Sequence, residues 1–460
     1  MRRPNALSLI VACALFMEHM DSTIIATSLP VIARSLGEDP IALKLALTSY
    51  LVSLAVFIPL TGWMTDRFGS RRIFKTAIGV FLLGSVLCGF VTSLGGFVMA
   101  RFIQGMGGAM MVPVGRIVLM KSVDKKDLVA ALAWLTLPAL FGPLLGPAVG
   151  GLITTYFDWR FIFFINVPIG LAGIALASRY VPQLKEPPRP FDMLGFAVLA
   201  VGVSALVLGL ATAGQHLLAW HASLVCIAVG VVFIALYAWH AHRVEHPVLD
   251  FHYLRIPTYR IGVLGGALFR IGVGATPFLL PLMLQIGFGM TPLQSGLITC
   301  ISALAAIFMK TISTRVLRRF GFRRVLMVNG VCASFTVALY GVLTPATSTA
   351  LMLGVLFFGG FFRSMQFTAV NAIAFADIER RDMGAASSLG NVIQQLSLGT
   401  GVTVGAYTLQ FAHRMLGHEA LHPEDFAVAF VIVGLISASA WFMLARLERD
   451  AGHELSGAST

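Results

Sequence analysis

The chain has 460 residues, of which 57% are hydrophobic and only 12% charged, and its mean hydropathy is +0.85. Soluble domains carry about 25% charged residues, so a soluble enzyme or a soluble scaffold is excluded. The formal net charge of +12 invites a nucleic-acid reading, but such a face gathers its basic residues on a soluble domain, and no span-free segment is long enough for one.

A helix crosses the hydrocarbon core with about 20 apolar residues. Cut at charged or Gly/Pro turns, the apolar runs predict fourteen such helices at roughly 6–32, 42–62, 73–93, 95–120, 128–153, 160–180, 192–213, 218–240, 259–288, 292–316, 323–344, 348–376, 383–412 and 425–446. Backbone polar groups in lipid need internal partners, which helices supply. The alternating strands of about ten residues that mark a membrane barrel are not visible. Most Lys and Arg fall in the loops and termini that fourteen spans assign to one side, and only Arg34, Lys44, Arg160 and Arg414 fall on the other. The positive-inside rule then predicts both termini in the cytoplasm of an inner-membrane protein. Met1-Arg2-Arg3 before an apolar run imitates a signal peptide, but the run continues through Glu18 and Asp21 without a clear cleavage site, so an uncleaved first span is expected.

The first span carries the densest polar cluster. Ionisable groups inside a membrane are expensive and point to function. Glu18 and Asp21 are three residues apart, hence on one helix face, with His19 beside them. Counted from a cytoplasmic start near Ala6, they lie roughly 18–22 Å deep. Arg101 in the fourth span lies about 9 Å below the opposite face, the level of Asp21 in a core of about 30 Å. Two nearby carboxylates repel, and desolvation disfavours their charge, which suits one of them to bind and release a proton. Arg101 would hold that carboxylate charged when paired and free it when moved away. The rival reading is a static Asp21–Arg101 ion pair.

The second span ends in Gly62, Asp66, Arg67, Gly69, Arg71 and Arg72. Asp66 is expected to latch onto the start of the thirteenth span near Asp382, since a carboxylate is stabilised at a helix N-terminus. Gly142, Gly146 and Gly150 in the fifth span form one groove that admits a neighbouring helix. Pro143 and Pro147 bend that helix, and with Gly151 the segment reads as a hinge or seal. The linker Lys185-Glu186-Pro187-Pro188-Arg189-Pro190 is stiff and closes a first bundle at 1–181. Spans seven and eight, inside a linker at 182–257, are polar almost nowhere and belong at the periphery. Segment 245–258 reads as interfacial.

A second bundle is expected at 258–447, followed by a cytoplasmic tail at 448–460. Arg270 and Arg363 lie near the middle of spans nine and twelve. Gln366 and Asn371 in span twelve, with Ser387, Asn391, Gln394 and Gln395 in span thirteen, make polar stripes that read as cavity lining or as inter-helix hydrogen bonding. No acid appears within the later spans, so Arg270 and Arg363 make this half of the cavity positive and favour anionic or zwitterionic cargo. The loop near 413–424, with His413, His418 and His422, reads as solvated, with weak metal binding as the alternative. The five cysteines lie inside spans as small apolar residues without metal-ligand spacing, and no metal is expected.

Phe68-Gly69-x-Arg71-Arg72 aligns without a gap with Phe320-Gly321-x-Arg323-Arg324, each turn following the second span of its bundle. In the second copy Arg318 stands where Asp66 would, so a latch would be asymmetric. Two related bundles that meet around a midplane site are transporter architecture.

Four motifs resemble the major facilitator superfamily over nearly the whole chain, in particular its fourteen-helix drug:proton antiporters of EmrB/QacA type. They are Gly62-x-x-x-Asp66-Arg67-x-Gly69-x-Arg71-Arg72, Arg101-x-x-Gln104-Gly105-x-Gly107-Gly108-Ala109, Gly142-x-x-x-Gly146-Pro147-x-x-Gly150-Gly151, and Asp21-x-Thr23-Ile24 with Leu29-Pro30. Gly108 to Arg116 further resembles bacterial members of that group. Ala26 stands where the family has Asn, and Glu18 where relatives often have Gln, which adds an acid to the cavity.

The resemblance implies an all-α membrane fold, two six-helix bundles plus two linker helices. It also implies export of drugs or other small amphipathic molecules against protons by alternating access. The proton-motive force serves in place of a cofactor, with Asp21, Glu18 and Arg101 at the proton site. A specific metabolite exporter, for an organic acid or siderophore-like anion, shares every motif. The fifth-helix motif disfavours a symporter, and the sequence holds no nucleotide-binding loop. Expected partners are the small-molecule substrate, protons and the bilayer. No nucleic acid is expected, and a periplasmic adaptor protein, used by some relatives, has no support in the sequence.

Overall fold

The structure, a computed structural model, describes residues 3–122, 128–185, 190–213, 220–379, 382–448 and 451–452. The proline-rich linker at 186–189 and the end of the tail at 453–460 lie outside the described residues. Every regular element among the described residues is helical. Eleven helices are long and apolar enough to cross a membrane, or twelve if a bent pair is one span. Two further helices of 29 and 34 residues, Leu128–Tyr156 and Met383–Leu416, have the length to do so, consistent with fourteen.

The chain divides into two compact units, Met1–Leu249 and Asp250–Thr460. The first contains α1 (Arg3–Leu36), α2 (Lys44–Phe57), α3 (Leu60–Phe68), α4 (Ser70–Phe90) and α5 (Leu94–Ser122), then α6 (Leu128–Tyr156), α7 (Phe161–Phe164), α8 (Asn166–Tyr180), α9 (Met193–Thr212) and α10 (Trp220–Ala241). The second span is therefore broken. α2 and α3 meet at 56° where Pro59, which has no N–H and a fixed φ, opens the new helix. The span also runs to Phe68 rather than residue 62, because Gly69 at φ 89° is the first position that cannot continue a helix. The sixth span is likewise divided, between α7 and α8 at Ile165.

α1 packs on α6, α8 and α5; α4 packs on α5 and α8; α2 packs on α5. Tyr50, Leu54, Phe74, Phe81, Met17, Met111 and Val114 lie together in the buried core of this unit. α9 and α10 pair with each other, and Asp192 ties them: its Oδ1 caps the Gly195 N–H at 2.7 Å and lies 2.8 Å from His240 Nε2. Phe196 of this hairpin rests on Phe57, with ring centroids 6.1 Å apart.

The second unit contains α11 (Pro257–Gly274), α12 (Thr276–Leu282) with a wide π-type turn at Met283–Gly287, α13 (Pro292–Phe320), α14 (Phe322–Tyr340), α15 (Thr349–Ala374), α16 (Met383–Leu416) and α17 (Pro423–Leu444). α13 starts sharply because Thr291 and Gln294 cap each other's backbone N–H, with Pro292 at the first helical position. The neighbours repeat those of the first unit: α11 on α16, α17 and α15; α14 on α15 and α17; α13 on α15. With α11, α13, α14, α15, α16 and α17 set against α1, α2, α4, α5, α6 and α8, the same six pairings occur in both units. The repeat seen in one short basic turn thus extends to the packing scheme.

Candidate functional site

Asp21 is fully buried and is held by three donors from two helices. Arg101 Nη1 of α5 donates to Asp21 Oδ2 at 2.6 Å. Gln104 Nε2, one turn along α5, donates to Asp21 Oδ1 at 2.8 Å, and Asn166 Nδ2 of α8 donates to the same oxygen at 2.9 Å. Gln104 and Asn166 spend their second amide proton on Ser85 Oγ of α4, at 2.7 and 3.3 Å. Arg101 Nη1 also reaches Gln104 Oε1 at 2.5 Å. A charge removed from water needs both a counter-ion and hydrogen bonds, and Asp21 has both.

Glu18 leaves Asp21 to join a second partner. Tyr50 Oη of α2 donates to Glu18 Oε1 at 3.1 Å, and the Tyr50 ring lies under the Arg101 guanidinium, 4.3 Å from its carbon, a cation–π geometry. Glu18 Oε2 lies 2.7 Å from His19 Nδ1, whose side chain is 39% exposed. One contact chain therefore runs from half-buried His19 through Glu18, Tyr50 and Arg101 to buried Asp21.

The glycines of α6 set the position of α1. A Cβ on Gly142 would lie 2.9 Å from His19 Cβ and from the Met20 backbone nitrogen; one on Gly146 would collide with Thr23 Oγ1; one on Gly150 would lie 2.6 Å from the Ile24 carbonyl oxygen. Thr23 and Thr27 hydroxyls reach the Gly142 and Pro147 carbonyls at 3.5 and 3.4 Å. Small residues every fourth position allow this close approach. Gly151 follows on the same helix and is buried.

The basic turn is anchored inside its own unit. Ser70 N donates to the Leu184 carbonyl at 2.9 Å, Ser70 Oγ to the Pro182 carbonyl at 2.9 Å, and Arg71 Nε to the Val181 carbonyl at 2.5 Å. Arg67 lies over the Trp63 ring at 5.3 Å. Gly62 and Arg72 are exposed and Asp66 is half-buried. Asp66 sits in the last turn of α3, the negative end of that helix dipole, where a carboxylate is disfavoured unless another partner compensates.

In the second unit Arg270 of α11 is almost fully buried and donates from Nη2 to Asn371 Oδ1 of α15 at 2.6 Å, with Phe367 against its guanidinium at 5.3 Å. Gln366 points elsewhere. It is fully buried, accepts from Asn329 Nδ2 at 2.9 Å and donates to the Leu326 carbonyl at 3.1 Å, so it locks α14 to α15. Arg363 and Gln395 are half-buried, and Asn391 Nδ2 reaches Ser387 Oγ at 3.4 Å. The expectation of no acid in the later spans needs correction. Asp425, in the first turn of α17, is fully buried and held by His413, His418 and the His422 N–H.

Tyr50, Ser85 and Asn166 carry no role in the sequence reading, and Gln104 enters only as part of a motif. Asn166 is the one that intramembrane polarity would have revealed, since it opens the otherwise apolar α8 beside Asp21's level.

The family model of the Major Facilitator Superfamily matches residues 11–398, and a second match covers 262–459. The chain belongs to the Major Facilitator Superfamily. The "Putative multidrug resistance protein MdtD" of Enterobacter sp. (strain 638) is 38% identical over 446 residues, 96% of this chain and 94% of that relative. Among solved structures, the POT family transporter PepTSo superposes with a TM-score of 0.71 at 13% identity, covering 96% of this chain and 97% of that one. The D-xylose-proton symporter does so with a TM-score of 0.69 at 15% identity, covering 96% and 97%. At such identities the structures speak for the fold alone. As a major facilitator the chain is a multi-span membrane transporter of small molecules rather than an enzyme.

Proposed function

We propose that this protein is a proton-coupled antiporter that exports drugs or other small amphipathic molecules from the cytoplasm. The reading draws on the MdtD relative, named as a putative multidrug resistance protein. The observation that carries the coupling is the buried Asp21–Arg101 pair with its Gln104 and Asn166 donors. Three donors aimed at one carboxylate suit its charged form. A proton on Asp21 cancels the charge that holds Arg101, so binding a proton loosens α1 from α5 and α8 together. Loss of that proton restores the grip. A conformational step tied to protonation is what antiport needs.

The cycle is alternating access, with the two bundles rocking about a midplane site, in the inner membrane with both termini cytoplasmic. One charge crossing 100 mV supplies about 2.3 kcal/mol, roughly a fifty-fold gradient, and no cofactor is required. Asp66 acts as the inner-side latch, with Arg67, Arg71 and Arg72 beside it. Glu18, Asp21, Arg270, Arg363, Asn371, Asn391 and Gln395 meet the substrate.

A second reading, export of an anionic metabolite, is favoured by the buried Arg270, whose charge is met by an amide rather than a carboxylate. Purified protein in liposomes with an internal pH dye tests both. Organic cations and organic anions are added in turn, for wild type and Asp21→Asn. Substrate-triggered proton flux that vanishes in the variant supports antiport. Substrate transport without proton flux overturns it, and strong transport of cations alone overturns the anionic reading.

A further inference from the structure

The turn from α16 into α17 gathers three histidines, His413, His418 and His422, beside Glu424 and Asp425. α16 ends because Gly417 adopts the left-handed conformation, φ 70° and ψ 25°, with its N–H on the His413 carbonyl at 3.0 Å. Pro423 then opens α17. This reversal brings His413, His418 and His422 around the first turn of α17. Asp425, fully buried there, accepts from His418 Nδ1 on Oδ1 at 2.7 Å, and on Oδ2 from His413 Nδ1 at 3.0 Å and the His422 N–H at 2.9 Å.

With Nδ1 committed to Asp425, His418 turns Nε2 outward, and Nε2 lies 3.7 Å from Glu424 Oε2. The His418 and His422 ring centroids are 4.8 Å apart. One donor atom from each of His418, His422 and Glu424 lies within 4.8 Å of the other two.

We propose that His418, His422 and Glu424 form a binding site for a divalent transition-metal ion of the zinc class, oriented from behind by Asp425. Two imidazoles and a carboxylate are a ligand set zinc accepts, with a fourth position left to water. In a tetrahedral site with bonds of about 2.0–2.1 Å the donor atoms sit roughly 3.3 Å apart. Glu424 is exposed, so rotation of its side chain narrows the remaining gap, while the His422 ring is held in place by the Asp425 backbone N–H. The His418 Nδ1–Asp425 contact is the feature that separates this cluster from a chance gathering, because metal-ligating histidines donate their other ring N–H to a carboxylate. Three helices, α14, α15 and α16, separate this loop from the Gly321 turn, so the site lies on the opposite membrane face from that turn. A bound ion would pin the end of α16 to the start of α17.

The test uses full-length protein purified without a histidine tag, stripped with chelator and dialysed against a micromolar zinc buffer. Metal content per chain is then measured. Wild type is expected to retain one zinc, His418→Ala/His422→Ala none, and Glu424→Gln less than wild type. Asp425→Asn should weaken binding about 10–100-fold, the effect of losing a carboxylate behind a ligand. His221→Ala, which removes an exposed histidine of α10 outside the cluster, should bind as wild type does. Wild type that retains no zinc, or a double variant that retains as much as wild type, overturns the proposal.

Discussion

Arg71 and Arg323 hold the same position in two different halves of the chain. Arg71 Nε donates to the carbonyl of Val181, the residue that closes α8, and Arg323 Nη2 donates to the carbonyl of Ala445, the residue that closes α17. Each cation thus sits at the negative end of a helix dipole and satisfies a carbonyl that the helix leaves orphaned. Arg71→Ala and Arg323→Ala should each lower stability by about 1.5–3 kcal/mol, the scale of a hydrogen bond to a charged group. The two losses should add, because the sites share no partner. Thermal unfolding of the purified variants in detergent checks both statements.

Asp21 and Arg101 should be coupled energetically. Removing either alone leaves a buried charge without its counter-ion, which costs about 3–5 kcal/mol. Asp21→Asn and Arg101→Gln are each expected to unfold at lower temperature than wild type, and the double variant to recover part of the loss. Proton-coupled transport should be absent from all three. A double variant less stable than the sum of the singles predicts would remove the ion pair as the organising contact.

The glycines on α6 differ in how forgiving they are. A methyl on Gly146 meets the Thr23 hydroxyl first, which can rotate, whereas a methyl on Gly150 meets the Ile24 backbone carbonyl at 2.6 Å. Gly150→Ala should therefore cost more than Gly146→Ala, on the 1–3 kcal/mol scale of overpacking (about). Transport rate and thermal stability of the two variants, measured together, decide the order.

Gln366 and Arg270 should separate stability from selectivity. Gln366→Ala removes the bonds to the Asn329 amide and the Leu326 carbonyl, while the Asn329 amide keeps the Phe362 carbonyl, an expected loss of about 1–3 kcal/mol with substrate preference unchanged. Arg270→Gln should instead weaken transport of organic anions more than that of cations. Competition between one anion and one cation in liposomes reads the difference.

Much of the helical layout was legible in the sequence because apolar run length is itself the physical requirement for crossing a bilayer. Depth counting placed Asp21 and Arg101 at one level, and their carboxylate and guanidinium lie 2.6 Å apart. What the pattern does not carry is side-chain direction. Glu18 shares a helix face with Asp21, yet a neighbouring tyrosine on α2 takes its carboxylate. Gln366 shares a polar stripe with Arg363, yet it is consumed by α14. Both depend on which helix packs alongside, a fact held by residues far away in the chain. The break at Pro59 was written in the sequence, but hydropathy is blind to a bend, since α3 continues with polar residues that a run-length criterion ends early.

The α9–α10 hairpin has a consequence for the lipid. Its helices of 20 and 22 residues span about 30–33 Å, close to the hydrocarbon thickness of an average membrane. Much of their surface, including Leu194, Val201, Val225, Val232 and Trp239, is exposed and therefore faces acyl chains. The hairpin touches the rest of its unit through Phe196 on Phe57 and through the neighbouring Phe191 on Trp63, one contact on each side of the 56° bend in the second span. A membrane thinner than the hairpin is accommodated by tilting it, whereas a thicker one is drawn thinner around it. Because these rings rest on both arms of the bent span, the lipid that surrounds the hairpin borders directly on the segment that carries Tyr50.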